Sequence, residues 1–104
     1  MTPSRWLIVG ELSIAMGQFA EVRQKRRRLL RAAFDLANGT PSKYVYQTEV
    51  MRWAGIHDKA EYMGIVAYHE AEGNVTDTTD EFEMFTLTPK GIDTAKREAR
   101  SPEP

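Results

Sequence analysis

Apolar residues recur every three or four positions after Gly10, which is the spacing of an amphipathic helix. The spacing predicts one long helix over residues 11–38. Arg26 stands where the apolar stripe should continue, so a bend or a division into two helices stays open. The Asn-Gly-Thr-Pro sequence at residues 38–41 ends the helix, because Asn or Gly accepts a left-handed cap and Pro blocks continuation. The stripe consists of Leu12, Ala15, Phe19, Val22, Leu29 or Leu30, Ala33 and Ala37.

The middle of the chain changes from β-prone to helical spacing. Residues 43–46, Lys-Tyr-Val-Tyr, predict a short edge strand. Residues 47–54 have helical spacing and are closed by Gly55. Asp58 is suited to cap a third helix, which ends near Gly73. The apolar side of this third helix consists of Tyr62, Ile65, Val66 and His69.

The last third of the chain predicts a two-stranded hairpin followed by a helix. Residues 74–76 and 82–87 have β-prone alternation and are joined by a polar turn. Thr88 and Pro89 form a helix start, with Thr as the cap and Pro at the first position. A final helix is therefore expected over residues 89–99, and residues 100–104 are expected to be a disordered tail.

Length and composition describe one ordinary globular domain. The 104 residues are 41% hydrophobic and 28% charged, and none is Cys, which excludes disulfides, thiol nucleophiles and thiolate metal sites. The apolar run at residues 6–9 is too short to span a bilayer and is not followed by a signal-peptide cleavage region. Residues 5–9 can be either a short strand or the first turn of a helix. We expect a cytoplasmic protein that does not enter a membrane.

The net charge is only −1, but the charges are unevenly distributed along the chain. Between Asp58 and Glu83 there are eight acids and one base, Lys59, which is a net charge of −7. A basic block without acids lies upstream and consists of Arg23, Lys25, Arg26, Arg27, Arg28 and Arg31. This asymmetry bears on function more than the total charge does.

The sequence carries no recognisable catalytic or metal-binding motif. The two histidines, His57 and His69, are twelve residues apart, and adjacent residues such as His69 and Glu70 point to different sides of a helix. A core or dimer-facing position is expected for His69. No serine lies in a nucleophile motif, and no glycine-rich phosphate loop is present. We expect no enzymatic activity, no metal and no cofactor.

Three stretches together resemble the winged-helix family of small bacterial and archaeal regulators. They are EVMRWAGI at residues 49–56, the helix from Asp58 to Gly73, and FTLTPKG at residues 85–91. The resemblance covers residues 27–99. It implies an α+β fold: a single winged-helix domain with a three-helix core and a two- or three-stranded wing, here with a long N-terminal and a C-terminal helix. Similar proteins mostly bind duplex DNA, with the third helix in the major groove and the wing along the minor groove, and many form dimers.

The acidic third helix departs from this family pattern. A helix that enters a groove normally directs Arg, Lys, Asn or Gln towards bases and phosphates. Here the third helix and the wing carry acids, which repel phosphate. Ordinary insertion into the groove is therefore not expected. The acids of this surface are Glu61, Glu70, Glu72, Asp77, Asp80 and Glu81.

Two functions of different classes follow from the charge pattern. The first is a DNA-associated, transcription-regulator-like protein that contacts phosphates through Arg23, Arg27, Arg28, Arg31, Lys43 and Arg52. The alternative is a protein-interaction module whose acidic third helix and wing dock a basic protein partner. In the basic block no aromatic residue lies between the cations, so a platform for stacking single-stranded bases is not indicated.

Apolar residues beyond those needed for the core predict a homodimer. Residues 1–26 are interpreted as an N-terminal helical extension for dimerisation, although this segment could instead fold back on its own domain. The expected interface consists of Trp6, Leu7, Ile8, Leu12, Ala15 and Phe19. The expected core residues are Phe34, Tyr44, Tyr46, Trp53, Tyr62, Phe85 and Leu87.

Overall fold

The computed structural model describes the backbone of residues 3–101 and the side chains of residues 19–101. Within that range the chain is a small α+β domain with four α-helices and a three-stranded antiparallel sheet. The elements in chain order are α1 (Pro3–Leu36), β1 (Tyr44–Tyr46), α2 (Gln47–Ala54), α3 (Lys59–Ala71), β2 (Val75–Thr76), a 3₁₀ turn (Asp80–Phe82), β3 (Met84–Leu87) and α4 (Pro89–Arg100).

Helix α1 is continuous and longer than its apolar spacing predicts. It spans 34 residues, so residues 5–9 belong to the helix rather than to a strand. Arg26 does not divide it, because the guanidinium lies 3.8 Å from the centroid of the Tyr68 ring and fills the gap in the stripe. The chain leaves the helix through left-handed conformations at Asn38 (φ 53°) and Gly39 (φ 65°). In the described part of the chain, no helix is both long and apolar enough to cross a membrane.

The sheet has the strand order β1-β3-β2, with β3 in the centre. Strand β1 pairs with β3 at Val45 and Phe85, and β2 pairs with β3 at Val75 and Leu87. The position of β1 at the edge and the β2–β3 hairpin both confirm the predicted elements. This arrangement is compatible with a winged-helix layout.

The core forms where α1 meets the other three helices and the sheet. Phe34 is only half-buried at its margin, against the expectation of a core position. The confirmed core residues Tyr62, Phe85 and Leu87 are at most 1% exposed. The remaining large, fully buried side chains are Leu29, Leu30, Val50, Ile56, Val66 and Thr86.

Three aromatic residues expected in the core are exposed, which corrects the prediction. Trp53 is 61%, Tyr46 52% and Tyr44 42% exposed. The two tyrosines flank Val45, and successive side chains of a strand point to opposite faces, so burial of Val45 turns both outwards. In α2 the buried positions are Val50 and Ala54, one helical turn apart, and Trp53 lies on a different side.

Local capping sets the ends of the later helices. The Asp58 carboxylate accepts a hydrogen bond from the Glu61 N–H at 2.9 Å, and the Thr88 hydroxyl accepts one from the Gly91 N–H at 2.9 Å. Helix α4 continues to Arg100, and the Ser101 N–H donates to the Glu98 carbonyl. Residues 102–104, the rest of the predicted tail, lie outside the described part of the chain.

The β2–β3 hairpin, which the sequence predicts as the wing and which is called the wing below, is more irregular than its β-prone sequence predicts. Strand β3 starts at Met84 rather than at residue 82, because Glu81 (φ 58°) and Phe82 (φ 55°) adopt left-handed conformations. The Tyr62 hydroxyl donates to the Phe82 carbonyl at 2.6 Å and holds this turn on α3. Alternation also fails in β3: Thr86 is buried together with its neighbours, and its hydroxyl donates to the Asp77 carboxylate at 3.2 Å.

Candidate nucleic-acid interface on helices α1 and α4

Tertiary packing divides the basic block of α1 into two groups. Lys25 and Arg26 point towards α3. The Lys25 ammonium lies 2.7 Å from the Glu61 carboxylate, and the hydrogen bond to this carboxylate raises the pKa of Lys25. Since Arg26 packs on Tyr68, these two cations connect α1 to α3 and belong to the structural framework.

The other group, Arg23, Arg27, Arg28 and Arg31, lies on the side of α1 that faces α2 and α4. Arg28 Nε donates to the Ala54 carbonyl at 3.0 Å, and Arg27 Nη2 donates to the Glu98 carbonyl at 2.6 Å. Both carbonyls belong to the last turn of a helix, where acceptors without intrahelical partners favour a cation. Arg31 is exposed and pairs with Asp35 at 3.2 Å.

Helix α4 adds two cations that sequence reasoning did not include. Lys90 and Arg97 are seven residues apart and therefore lie on one side of α4. This spacing was the signal that could have identified them. The six cations form a surface that we call the basic face: Arg23, Arg27, Arg28, Arg31, Lys90 and Arg97.

Two adjoining clefts run along the basic face. The first, of about 560 Å³, lies between α1, α3 and α4, and five cations and two acids line it. The second, of about 380 Å³, lies between α1, α2 and α4, and three cations and two acids line it. Arg27 and Glu98 line both clefts. Cations are therefore in excess along the whole length of the basic face.

A buried polar network forms the floor of the first cleft. His69 Nε2 donates to the Arg26 carbonyl at 2.8 Å, since a carbonyl can only accept. His69 Nδ1 then accepts from the Asn74 side-chain amide at 3.0 Å, and the Asn74 oxygen accepts from the Thr94 hydroxyl at 3.2 Å. Burial lowers the pKa of His69, which keeps the ring neutral. Of the core and dimer-facing positions expected for His69, the structure has the core position, with 2% exposure.

Glu98 separates the two clefts. Burial raises the pKa of its carboxyl group, while Arg27 and Arg97 nearby lower it in part. Its Oε1 atom is buried and has no hydrogen-bond partner among the described residues.

Two of the predicted phosphate contacts lie elsewhere. Lys43 is an exposed residue just before β1, and Arg52 borders a separate depression of about 390 Å³ beside His57. The structure thus places four of the six predicted contacts on one face and separates Lys43 and Arg52 from them. The reason is that both follow the turn after α1 and are carried by the sheet and α2.

The acidic surface occupies α3 and the wing, as the sequence predicts. Glu61 forms an ion pair with Lys25, and Glu81 pairs with Lys59 at 3.1 Å. Glu72 borders the first cleft, where the Lys90 ammonium donates to its carbonyl. Glu70, Asp77 and Asp80 are exposed. The other exposed residues of α3 are Lys59, Ala60, Gly64, Ala67 and Ala71.

The proposed dimer residues are only partly within the described side chains. Phe19 is 72% exposed and Val22 is 42% exposed on α1. The side chains of Trp6, Leu7, Ile8, Leu12 and Ala15 lie outside the described part of the structure.

Comparisons with protein-family models, curated proteins and solved structures found no match for this chain. The winged-helix resemblance therefore rests on the quoted sequence stretches and on the order of helices and strands. Among the described residues, no three His, Asp or Glu side chains cluster as a metal site requires.

Proposed function

We propose that the protein is a winged-helix, DNA-associated regulator that holds the phosphates of duplex DNA on its basic face. The observation that carries this proposal is the convergence of seven cations from α1 and α4, the six of the basic face and Arg26, around two adjoining clefts. Phosphate neutralisation and counterion release supply most of the sequence-independent affinity for DNA. Such a surface binds through charge and position rather than through base recognition.

The spacing of the arginines suits a phosphate backbone. Arg23, Arg27 and Arg31 follow one another at four-residue intervals, and 1.5 Å of rise per residue separates the first from the last by ~12 Å along α1. At ~3.4 Å of duplex axis per phosphate of one strand, this distance covers about three phosphates. Arg27 and Arg28 are already held by helix carbonyls, so less side-chain entropy is lost when they bind.

The acidic surface supports contact through the basic face, because its charge disfavours the usual orientation in which the third helix enters the major groove. The third helix offers no Arg, Asn or Gln, and Lys59 at its start is engaged by Glu81. Insertion of α3 and the wing would bring Glu70, Asp77 and Asp80 towards phosphates. Repulsion therefore turns α3 away from the duplex and favours contact through α1 and α4.

Titration of labelled random duplex DNA at ~50 and ~200 mM salt, followed by fluorescence anisotropy, tests the proposal. The variant is Arg31→Gln with Arg97→Gln, because both arginines are exposed and their contacts lie within their own helices. Arg31 pairs with Asp35 and lies over the Phe34 ring, and Arg97 pairs with Asp93 and donates to the Thr94 hydroxyl. The matched control is Arg52→Gln with Lys96→Gln, which removes the same charge outside the basic face.

We expect the slope of log K against log salt to fall by about 0.9 for each lost phosphate contact, and so by about two in the variant. In the control, the slope should fall by less than half of this amount. Equal losses in variant and control would show that DNA responds only to total charge. Absence of binding at ~50 mM salt would remove the nucleic-acid function altogether.

We propose as a second candidate that the acidic surface docks a basic protein helix. The observation favouring it is the exposed side of α3, where Ala60, Gly64 and Ala67 let another backbone approach closely beside Glu70. A labelled Lys-rich amphipathic peptide should bind the wild type and bind Glu70→Gln with Asp80→Gln more weakly. Glu49→Gln changes an exposed acid on α2, away from the acidic surface, and is the control. Equal binding by all three proteins would contradict this candidate.

We further propose that the protein forms a homodimer through the N-terminal part of α1. Phe19 and Val22 expose a continuation of the core stripe, and symmetric pairing would bury it. Phe19→Glu should convert dimer to monomer in size-exclusion chromatography with light scattering. Tyr46→Glu changes a comparably exposed aromatic residue on β1 and should leave the dimer intact. A monomeric wild type would refute the dimer.

A further inference from the structure

We propose that the second cleft binds an unpaired base of single-stranded nucleic acid, stacked on Trp53, with its neighbouring phosphates on Arg28 and Arg31. This inference rests on the proposed function, because it uses the same basic face, and it adds a second form of nucleic acid, the single strand, to the duplex.

The first reason is the exposure of Trp53. Its indole is 61% exposed at the end of α2, although Trp contributes more apolar area than any other side chain. The cleft beside it continues this apolar surface with the small side chains of Ala32, Ala95 and Ala99. These alanines bring no polar group towards the ring. The cleft therefore offers an open apolar patch to a planar base, although the acids Asp35 and Glu98 also line it.

The second reason is the position of cations around the indole. Arg28 Nε is bonded to the carbonyl of Ala54, and Arg28 and Trp53 line the same cleft. Arg31 is exposed on the next turn of α1 and lines the same cleft. A neutral apolar peptide would gain nothing from these charges. A base joined to phosphates uses both the ring and the arginines.

The third reason distinguishes single strands from duplexes. Bases inside a duplex are stacked on one another and cannot reach a protein ring unless they are taken out of the stack. A single strand presents free base faces, and stacking on an aromatic side chain contributes ~1–3 kcal/mol for each base. The aromatic residue that is absent from the basic block in sequence is thus supplied by α2 in the fold.

Tryptophan fluorescence provides a direct test. The protein contains two Trp residues, so a Trp6→Phe protein reports on Trp53 alone. It is titrated with twelve-nucleotide oligo(dT), with oligo(rU) of the same length and with a blunt duplex, all at the same salt concentration. Both single strands should quench the fluorescence of Trp53, and the duplex should leave it unchanged. Quenching by the DNA strand alone or by the RNA strand alone would support the proposal and identify its source.

Anisotropy with Trp53→Leu and Trp53→Phe completes the test. Trp53→Leu should weaken binding of the single strand about tenfold, as loss of ~1.4 kcal/mol of stacking implies, and leave duplex binding unchanged. Trp53→Phe retains an aromatic face and should restore most of the affinity. Circular dichroism verifies that these changes at an exposed position leave the fold intact.

Two outcomes would overturn the inference. One is that Trp53→Leu weakens the binding of single strands and of the duplex equally. The other is that a single strand binds without quenching the fluorescence of Trp53. In either case, duplex binding that depends on Arg31 and Arg97 would leave the proposed function standing. Absence of binding to every nucleic acid would remove both.

Discussion

The basic face of α1 and α4 and the acidic surface of α3 and the wing use their charged residues differently. On the basic face, Arg27, Arg28 and Lys90 each donate to a carbonyl near the end of a neighbouring helix, so packing fixes where these cations lie. On the acidic surface, Glu70, Asp77 and Asp80 are exposed on α3 and the irregular β2–β3 hairpin. Within the described part of the chain, Glu70 and Asp77 accept hydrogen bonds only from hydroxyls of the hairpin, those of Thr78 and Thr86. Cations bonded to a neighbouring helix therefore help to hold the helices together, whereas exposed acids bonded within their own surface mainly affect which partners can approach.

The two surfaces are also held together by different parts of the molecule. Helix α4 joins the basic face to the domain through a close approach of Gly91 to the Asn74 backbone. The His69 network connects α1 to α3 and to the start of the hairpin. The Tyr62 hydroxyl joins the wing to α3. Changes at these three points separate the contributions of the two surfaces, and they are taken in order of decreasing expected effect.

Gly91→Ala should have the largest effect and should disrupt the basic face first. A Cβ at this position would lie 2.0 Å from the Asn74 carbonyl oxygen, so α4 must move away from the hairpin. We expect a loss of about 3 kcal/mol in the free energy of unfolding, measured with urea. The same protein should lose DNA affinity, because Lys90 and Arg97 move with α4.

Gly64→Ala is the matched control on the other surface. A Cβ there meets no atom within 4 Å, and the residue lies in the exposed part of α3. Higher helix propensity should therefore stabilise the protein by about 0.5–1 kcal/mol. Equal destabilisation by both substitutions would show that Gly91 is not a special point of contact.

His69→Gln should lower the free energy of unfolding by about 2 kcal/mol, because it leaves the Arg26 carbonyl and the Asn74 amide without their partner on the imidazole ring. His57→Gln is the control at the other, exposed histidine. Urea denaturation at pH 7.5 measures the free energy of unfolding of both variants. A loss of ~1–3 kcal/mol lowers the urea concentration at the midpoint by about 1 M. If His69→Gln lowers the free energy of unfolding no more than His57→Gln does, the hydrogen bonds of His69 do not contribute to stability as proposed.

The same histidine predicts a pH dependence of stability. Because burial lowers the pKa of His69 below its ordinary 6.5, the unfolded chain binds the proton more tightly than the folded protein. The contribution of neutral His69 is therefore fully present above pH 6.5 and is lost as the pH falls towards the lower pKa of the folded state. Wild type should lose more stability than His69→Gln between pH 7 and pH 5. Parallel curves would contradict the assignment.

Tyr62→Phe should have the smallest effect and should act on the wing. It removes the hydrogen bond to the Phe82 carbonyl, for a loss of about 1 kcal/mol in the free energy of unfolding. Hydrogen exchange should rise in residues 78–84 and change little on the basic face. Tyr46→Phe is the control at an exposed tyrosine. Faster exchange throughout the domain would show that the two surfaces are not independently stabilised.

Local features of the sequence were sufficient to predict most of the secondary structure. The predicted second helix, residues 47–54, matches α2, because Gly55 adopts the left-handed cap and the apolar spacing is regular. The caps at Asp58 and Thr88 form as expected, since each requires only a side chain and a backbone N–H three residues later. The strand predicted from residue 82 was wrong at its start, because the Tyr62 hydroxyl stabilises a left-handed turn there.

The candidate site was only half predictable. The arginines of α1 could be found because a basic block is visible in the chain. Lys90 and Arg97 were missed, although their spacing places them together on α4, because nothing local indicates that α4 packs beside α1. Lys43 and Arg52 were included because of their charge, and the fold carries them elsewhere.

Local sequence was enough to predict most helices, their caps and the charge pattern, because these features depend on residues within about one helical turn of each other. Only the tertiary structure decided that Arg26 packs on Tyr68, that Trp53 lies open beside Arg28, and that two helices distant in sequence share one basic face. The physical reason is that burial is a property of the whole packed domain. A side chain's neighbours across the core, rather than its neighbours in sequence, decide whether it supports the fold or meets a partner.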